Sequence, residues 1–176
     1  MKPLLLIDVD GALSADAMGN PAANGYVEHR TPAGLAVLSA DISNKILNLS
    51  DRYELTWCTG WNDRANEHLC PLLHWPSLPV LDLADARQAY DASRRDGSFV
   101  PFPQRTWKLD AVRAYVGDRP VAWLDDQIGH DVTDWAERRD AATLLVWVRA
   151  NHGISDEQID TLAAWARDPV HGVTYA

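Results

Sequence analysis

The sequence predicts an α/β protein, a Rossmann-like three-layer α/β/α sandwich around a central, mostly parallel sheet of about five strands with a short β-hairpin flap. Three observations carry this expectation. Near-continuous apolar runs recur at 4–7, 55–58, 121–124 and 144–148, as in strands buried on both faces. Between several of them, apolar residues recur at helical spacing, as at Ile42, Ile46 and Leu49. The polar residues Asp8, Asp10, Thr59, Asp125 and Asp126 follow the ends of three runs. That edge is where open α/β sheets bind their ligands.

The bulk properties bound the rest. A chain of 176 residues suits one domain over 1–176 with a full core. A hydrophobic fraction of 47% with eight Trp excludes disorder. The formal charge of -9 disfavours extensive nucleic-acid binding or an anionic-membrane footprint, because such surfaces repel it. Cys58 and Cys70 match neither a disulfide framework nor a zinc ribbon, and are expected reduced and at least half-buried. The N-terminal apolar run is far shorter than a membrane span and lacks a signal-cleavage pattern, so the expected compartment is the cytoplasm.

In chain order, the first strand ends in Asp8-Val9-Asp10-Gly11, with two carboxylates at i and i+2 on one side of the chain. Residues 12–39 form the flap: a loop, then two strand-like runs around Thr31-Pro32-Ala33-Gly34, with a helix from Pro32 as the competing expectation. A helix follows from Asp41. The second strand ends at Thr59, and Gly60 opens a helix through Ala65 and Leu69 that Pro71 and His74-Trp75-Pro76 should stop. Residues 78–81 suit a short third strand, and 84–105 read as a surface excursion. Thr106 can cap a helix bearing Leu109, Val112 and Val116, with Lys108 in its first turn. The fourth strand ends in Asp125-Asp126, a helical stripe at Ile128, Val132 and Trp135 follows, and the fifth strand covers 144–148. Ser155-Asp156-Glu157-Gln158 is a capping box for a last helix.

Four carboxylates, a hydroxyl and a lysine at one sheet edge would repel and raise each other's carboxyl pKa values unless a cation balanced them. Hard oxygen donors with no His or Cys partner at ligand spacing point to Mg²⁺. Such a set suits phosphoryl transfer, in which a protein mainly positions groups and neutralises charge, and an Asp can be the nucleophile.

Asp8-Val9-Asp10-Gly11, Thr59-Gly60 after a strand, Lys108, and Trp123-Leu124-Asp125-Asp126 resemble, in order, the four motifs of the haloacid dehalogenase superfamily. The resemblance covers most of the chain. The stretch 55–62 is also similar to small bacterial members, some described as domains associated with RNA repair. The resemblance implies a phosphatase with Asp8 as nucleophile and Mg²⁺ ligand. It implies Asp10 as general acid and base, with its carbonyl on the metal, and Thr59 and the Gly60 amide on the phosphoryl group. Lys108 would offset charge, Asp125 would complete the metal site, and Asp126 would lie beside it as a ligand, orienting or capping group. An acid at position 10 favours phosphate esters over carbon–halogen substrates. A cap domain, if any, is small, so a small-molecule phosphate or an exposed macromolecular one could enter, or a partner chain could close the site.

Other readings carry different expectations. Trp61 would either pack or line the substrate mouth, and Arg94-Arg95 would be solvated or recognise a second anion. A response-regulator receiver shares acidic residues, Thr and Lys, but its acidic pair precedes the phosphorylated Asp and its Lys comes last. A non-catalytic phosphate- or metal-binding module on the same fold would be expected to lack Asp8 or Asp10, and both are present.

Overall fold

In the computed structural model, which describes residues 2–170 and 173–175, the first apolar run is β1 (Leu4–Ile7). An antiparallel hairpin, β2 (Val27–Thr31) and β3 (Gly34–Leu38), comes next, then α1 (Ala40–Leu47), β4 (Glu54–Trp57) and α2 (Arg64–Leu73). The chain continues through α3 (Ala84–Asp96), α4 (Leu109–Val116), β5 (Val121–Asp125) and α5 (His130–Glu137). It ends with β6 (Thr143–Trp147), α6 (Asp156–Trp165) and β7 (Val173–Tyr175). The main sheet is parallel throughout, in the order β4-β1-β5-β6-β7.

Every residue of β1 is buried because helices cover both faces of the sheet. Leu5, Ile7, Trp57, Leu124 and Val146 pack with Ile46 of α1, Leu69 of α2 and Leu162 of α6. Leu4, Leu6, Trp123 and Leu145 pack with Val112 of α4 and Val132 of α5. The period-two division of a continuous apolar run thus becomes three layers. Among the described residues, no helix is long and apolar enough to cross a membrane.

Several expectations change. Residues 78–81 form only an isolated bridge, Val80 to Trp57, instead of a third strand. Pro79 has no N–H to donate, and the bonds Trp57 N to Pro79 O and Leu81 N to Trp57 O complete the contact. The fifth strand is β7, near the C-terminus. Pro71 lies inside α2, which ends only at His74 in the left-handed region (φ 55°). The excursion carries a helix, α3: its Ala-rich stretch has high helical propensity although none of its residues is buried. The 31–34 turn makes the hairpin, not a helix, with the Gly34 amide bonded to Thr31 Oγ1. Cys58 and Cys70 are both free and buried.

Candidate active site

The chain leaves β1 between its two neighbours: β4 lies on one side and β5 on the other. Ile7 is in register with both Trp57 and Leu124, so Asp8, Thr59 and Asp125 arrive at one edge. The Asp8 amide bonds to Leu124 O at 3.0 Å and the Cys58 amide to Ile7 O at 2.9 Å, which continues the ladder up to the carboxylates.

Lys108, the residue just before α4, reaches this edge from the α4/α5 side of the sheet. Its Nζ lies 2.8 Å from Asp8 Oδ1 and 2.8 Å from Asp125 Oδ2. All three residues are buried. Burial opposes the charged ammonium, but the Asp125 and Asp8 carboxylates outweigh it and raise its pKa. Burial pushes the Asp8 carboxyl well above the usual carboxylate range, Lys108 pulls it down, and Asp125 adds to the rise. Asp125 is held further by the Trp123 indole N–H on Oδ2 (3.1 Å) and by the Gln127 amide on Oδ1 (2.8 Å).

Thr106 does not cap α4 with its side chain as expected; α4 has no side-chain cap. Its hydroxyl instead donates to Gln127 O and accepts from the Gly129 amide, both at 3.0 Å. The segment carrying Lys108 is thereby tied to the one that follows Asp125.

Asp8, Asp125 and Asp126 each offer an oxygen, all within 4.8 Å of one another. Asp126 Oδ1 is buried without a hydrogen-bond partner. Burial, then the Asp125 charge, push the Asp126 carboxyl up to about 6. An orphaned acceptor beside two further carboxylates fits a hard divalent cation, which would satisfy the lone pairs and lower the repulsion. Gly11 leaves room for this group: at φ 75°, a Cβ there would stand 2.5 Å from Asp126 Oδ2.

Asp10 stands outside that carboxylate cluster. It is exposed, and both of its carboxylate oxygens accept the Trp61 indole N–H, at 2.9 and 3.1 Å. Although the residue is exposed overall, partial burial of its carboxyl against Trp61 raises its pKa, and the Trp61 bond opposes the rise. Trp61 is buried in one cluster with Ala36 and Leu38 of the hairpin, and a Cβ at Gly34 would stand 3.6 Å from its ring. The flap is therefore packed against the residue that holds Asp10. Thr59 is buried, and its Oγ1 accepts the Trp61 amide at 3.3 Å; Gly60 follows it on the loop.

Some contributors were not singled out from sequence. Trp123 stands two positions before Asp125 on the same strand face, so the strand period could have pointed to it. Asp16 accepts the Gly11 amide at 3.0 Å and closes the first loop, but an isolated Asp in a polar loop carries no such signal.

No protein-family model and no curated protein matches the chain. Among solved structures, it aligns with one described as the crystal structure of a trehalose-6-phosphate phosphatase related protein. The identity is 15%, covering 93% of this chain and 97% of that one, with a TM-score of 0.46. At that level the likeness concerns the course of the chain alone.

Proposed function

We propose that the protein is a Mg²⁺-dependent phosphomonoester hydrolase of the haloacid dehalogenase type, working through an aspartyl-phosphate on Asp8. The observation that carries this reading is the buried Asp8–Lys108–Asp125 arrangement with the unpartnered Asp126 oxygen beside it. A lysine bridging two buried carboxylates holds one of them as a positioned nucleophile and supplies positive charge where a phosphoryl group would sit.

In this reading the Thr59 hydroxyl and the Gly60 amide bind phosphoryl oxygens. An Asp8 oxygen attacks phosphorus, and the ester P–O bond breaks as its electrons pass to the leaving oxygen. Asp10, with its pKa raised, donates a proton to that oxygen. The Asp10 carboxylate then takes a proton from water as the water oxygen attacks the phosphorus of the intermediate, releasing phosphate and restoring Asp8. Asp8, Asp125 and Asp126, with the Asp10 carbonyl, would hold Mg²⁺, which when bound neutralises charge on the phosphoryl oxygens.

The test is hydrolysis of an aryl phosphate with and without Mg²⁺ by the native chain and by Asp8→Asn. Metal-dependent turnover that the substitution abolishes is expected. A folded native protein that binds Mg²⁺ yet turns over no phosphomonoester would overturn the reading in favour of a binding module.

A further inference from the structure

A cavity of about 500 Å³ opens between α3 and the start of α4, a size that suits a small-molecule ligand. Its aromatic lining is Tyr90 of α3, Phe99 just beyond it and Trp107 just before Lys108. These rings form one cluster. Tyr90 meets Phe99 edge-on at 5.4 Å and Trp107 at a tilt at 6.1 Å. Arg87 lies over Tyr90 and Trp107, and Arg94 over Tyr90 and Phe99, all within 6 Å, although neither arginine lines the cavity. Cations over the faces of these rings favour this arrangement.

Trp107 connects the cavity to the proposed chemistry. Its ring lies 5.7 Å from Lys108 Nζ, and a Cβ at Gly60 would be 4.0 Å from its six-membered edge. Asp82, Asp85 and Asp110 line the cavity with Arg105. Asp110 is paired with Arg105 at 3.5 Å and with Arg113 at 3.9 Å, and Arg87 and Arg94 lie over the lining rings. Carboxylates and guanidiniums thus offset one another around the cavity, and its aromatic surface is what distinguishes it.

We infer that this cavity holds the leaving group of the substrate, and that the leaving group carries a flat aromatic ring. The inference rests on the phosphohydrolase reading for the position of the phosphate, and on the aromatic cavity for the ring. A nucleobase and the phenol-derived ring of phosphotyrosine share this flat aromatic surface. A sugar phosphate or glycerol phosphate does not. Of the Arg94-Arg95 pair, Arg94 lies over the Tyr90 and Phe99 rings.

The test has a binding arm and a turnover arm. Adenosine and tyrosine amide, neither carrying phosphate, are titrated into the full chain without Mg²⁺ and followed by NMR. Adenosine 5′-monophosphate, phosphotyrosine and glycerol phosphate are compared by kcat/KM with Mg²⁺. Tyr90→Leu removes a ring and Ala89→Trp fills the cavity from an exposed helix position, with thermal melts reporting folding of each. At least one ring compound is expected to bind, and its phosphate to exceed glycerol phosphate in kcat/KM. Both variants are expected to weaken the binding and the preference by about tenfold or more, the usual range for losing one ring–aromatic stack. Which ring compound is favoured identifies the source.

Turnover with no ring binding and no ring preference would overturn the inference and leave the phosphohydrolase reading standing. Ring binding that both variants weaken, in a protein that hydrolyses nothing, would keep the cavity and overturn the phosphohydrolase reading. Binding that neither folded variant changes would overturn the cavity assignment.

Discussion

Replacing Lys108 with Met removes the one ammonium within 2.8 Å of both Asp8 and Asp125 while keeping a side chain of similar length. The two carboxylates then remain buried without their counter-charge. Breaking a buried ion pair by removing one partner costs about 3–5 kcal/mol. For a chain of this size each kcal/mol moves the melting temperature by about 2–4 °C, so the expected drop is about 6–20 °C at pH 8. The drop also has a pH signature. Burial already holds the Asp8 carboxyl above its ordinary range, and Lys108 is the group that pulls it down. Without that lysine the folded pKa rises further, so the penalty is fully present above that pKa and lifts as pH falls through it. Thermal melts of native and Lys108→Met protein at pH 8 and pH 5, without metal, should show the gap narrowing at the lower pH. Asp8→Asn, which leaves Lys108 paired with Asp125, should lose far less than Lys108→Met, because a costly buried charge goes with it. A Lys108→Met melt within about 2 °C of native at pH 8, a shift below that expected from 1 kcal/mol, would refute the reasoning, as would a gap equal at both pH values.

Further outcomes are expected around the same site. Because Asp126 titrates near 6 and a cation binds only its carboxylate, Mg²⁺ affinity measured by calorimetry should fall between pH 7.5 and 5, approaching about tenfold per unit below 6; a flat profile would remove Asp126 from the metal site. Gly11→Ala forces a Cβ onto Asp126 from a left-handed backbone, so denaturant melts should show a loss of about 1–2 kcal/mol, and Mg²⁺ binding should weaken with it. Unchanged affinity would show that Asp126 does not hold the ion. Asp10→Asn should lower kcat by about 10²–10⁴ with the melting temperature retained, which separates a proton-transfer role from a packing one. Thr106→Val leaves the Gly129 amide and Gln127 carbonyl unpaired, and should cost about 1–3 kcal/mol in chemical denaturation; no loss would mean the loops are held otherwise.

The layers and the sheet edge were legible because they rest on local patterns. Leu4 to Ile7 suits a strand covered on both faces better than a half-exposed one, and Asp8 then emerges at its end, as the structure shows. The capping box at Ser155 and Gln158 is present in the structure for a similar reason, since both halves lie within four residues. What was not legible depends on partners distant in sequence. Residues 78–81 looked like a strand by composition, but strand pairing is decided by available donors, and Pro79 offers none. Thr106 looked like a helix cap because its hydroxyl precedes apolar helical spacing, yet a better pair of partners waits at Gln127 and Gly129. The α3 segment was unreadable as a helix by periodicity because it buries none of its residues, and its alanines alone carried the signal. The Trp61 bond to Asp10 links positions 51 residues apart, which no local spacing could reveal.

The most direct test of the proposed chemistry is to trap the covalent intermediate. The native chain is mixed with a ³²P-labelled aryl phosphate and Mg²⁺, quenched in acid within the first turnover, digested, and the labelled peptide sequenced by mass spectrometry. The expected result is label on Asp8 that disappears on a chase with unlabelled substrate and is absent in Asp8→Asn. Metal-dependent hydrolysis that continues in Asp8→Asn, or label on any other residue, would contradict the central claim.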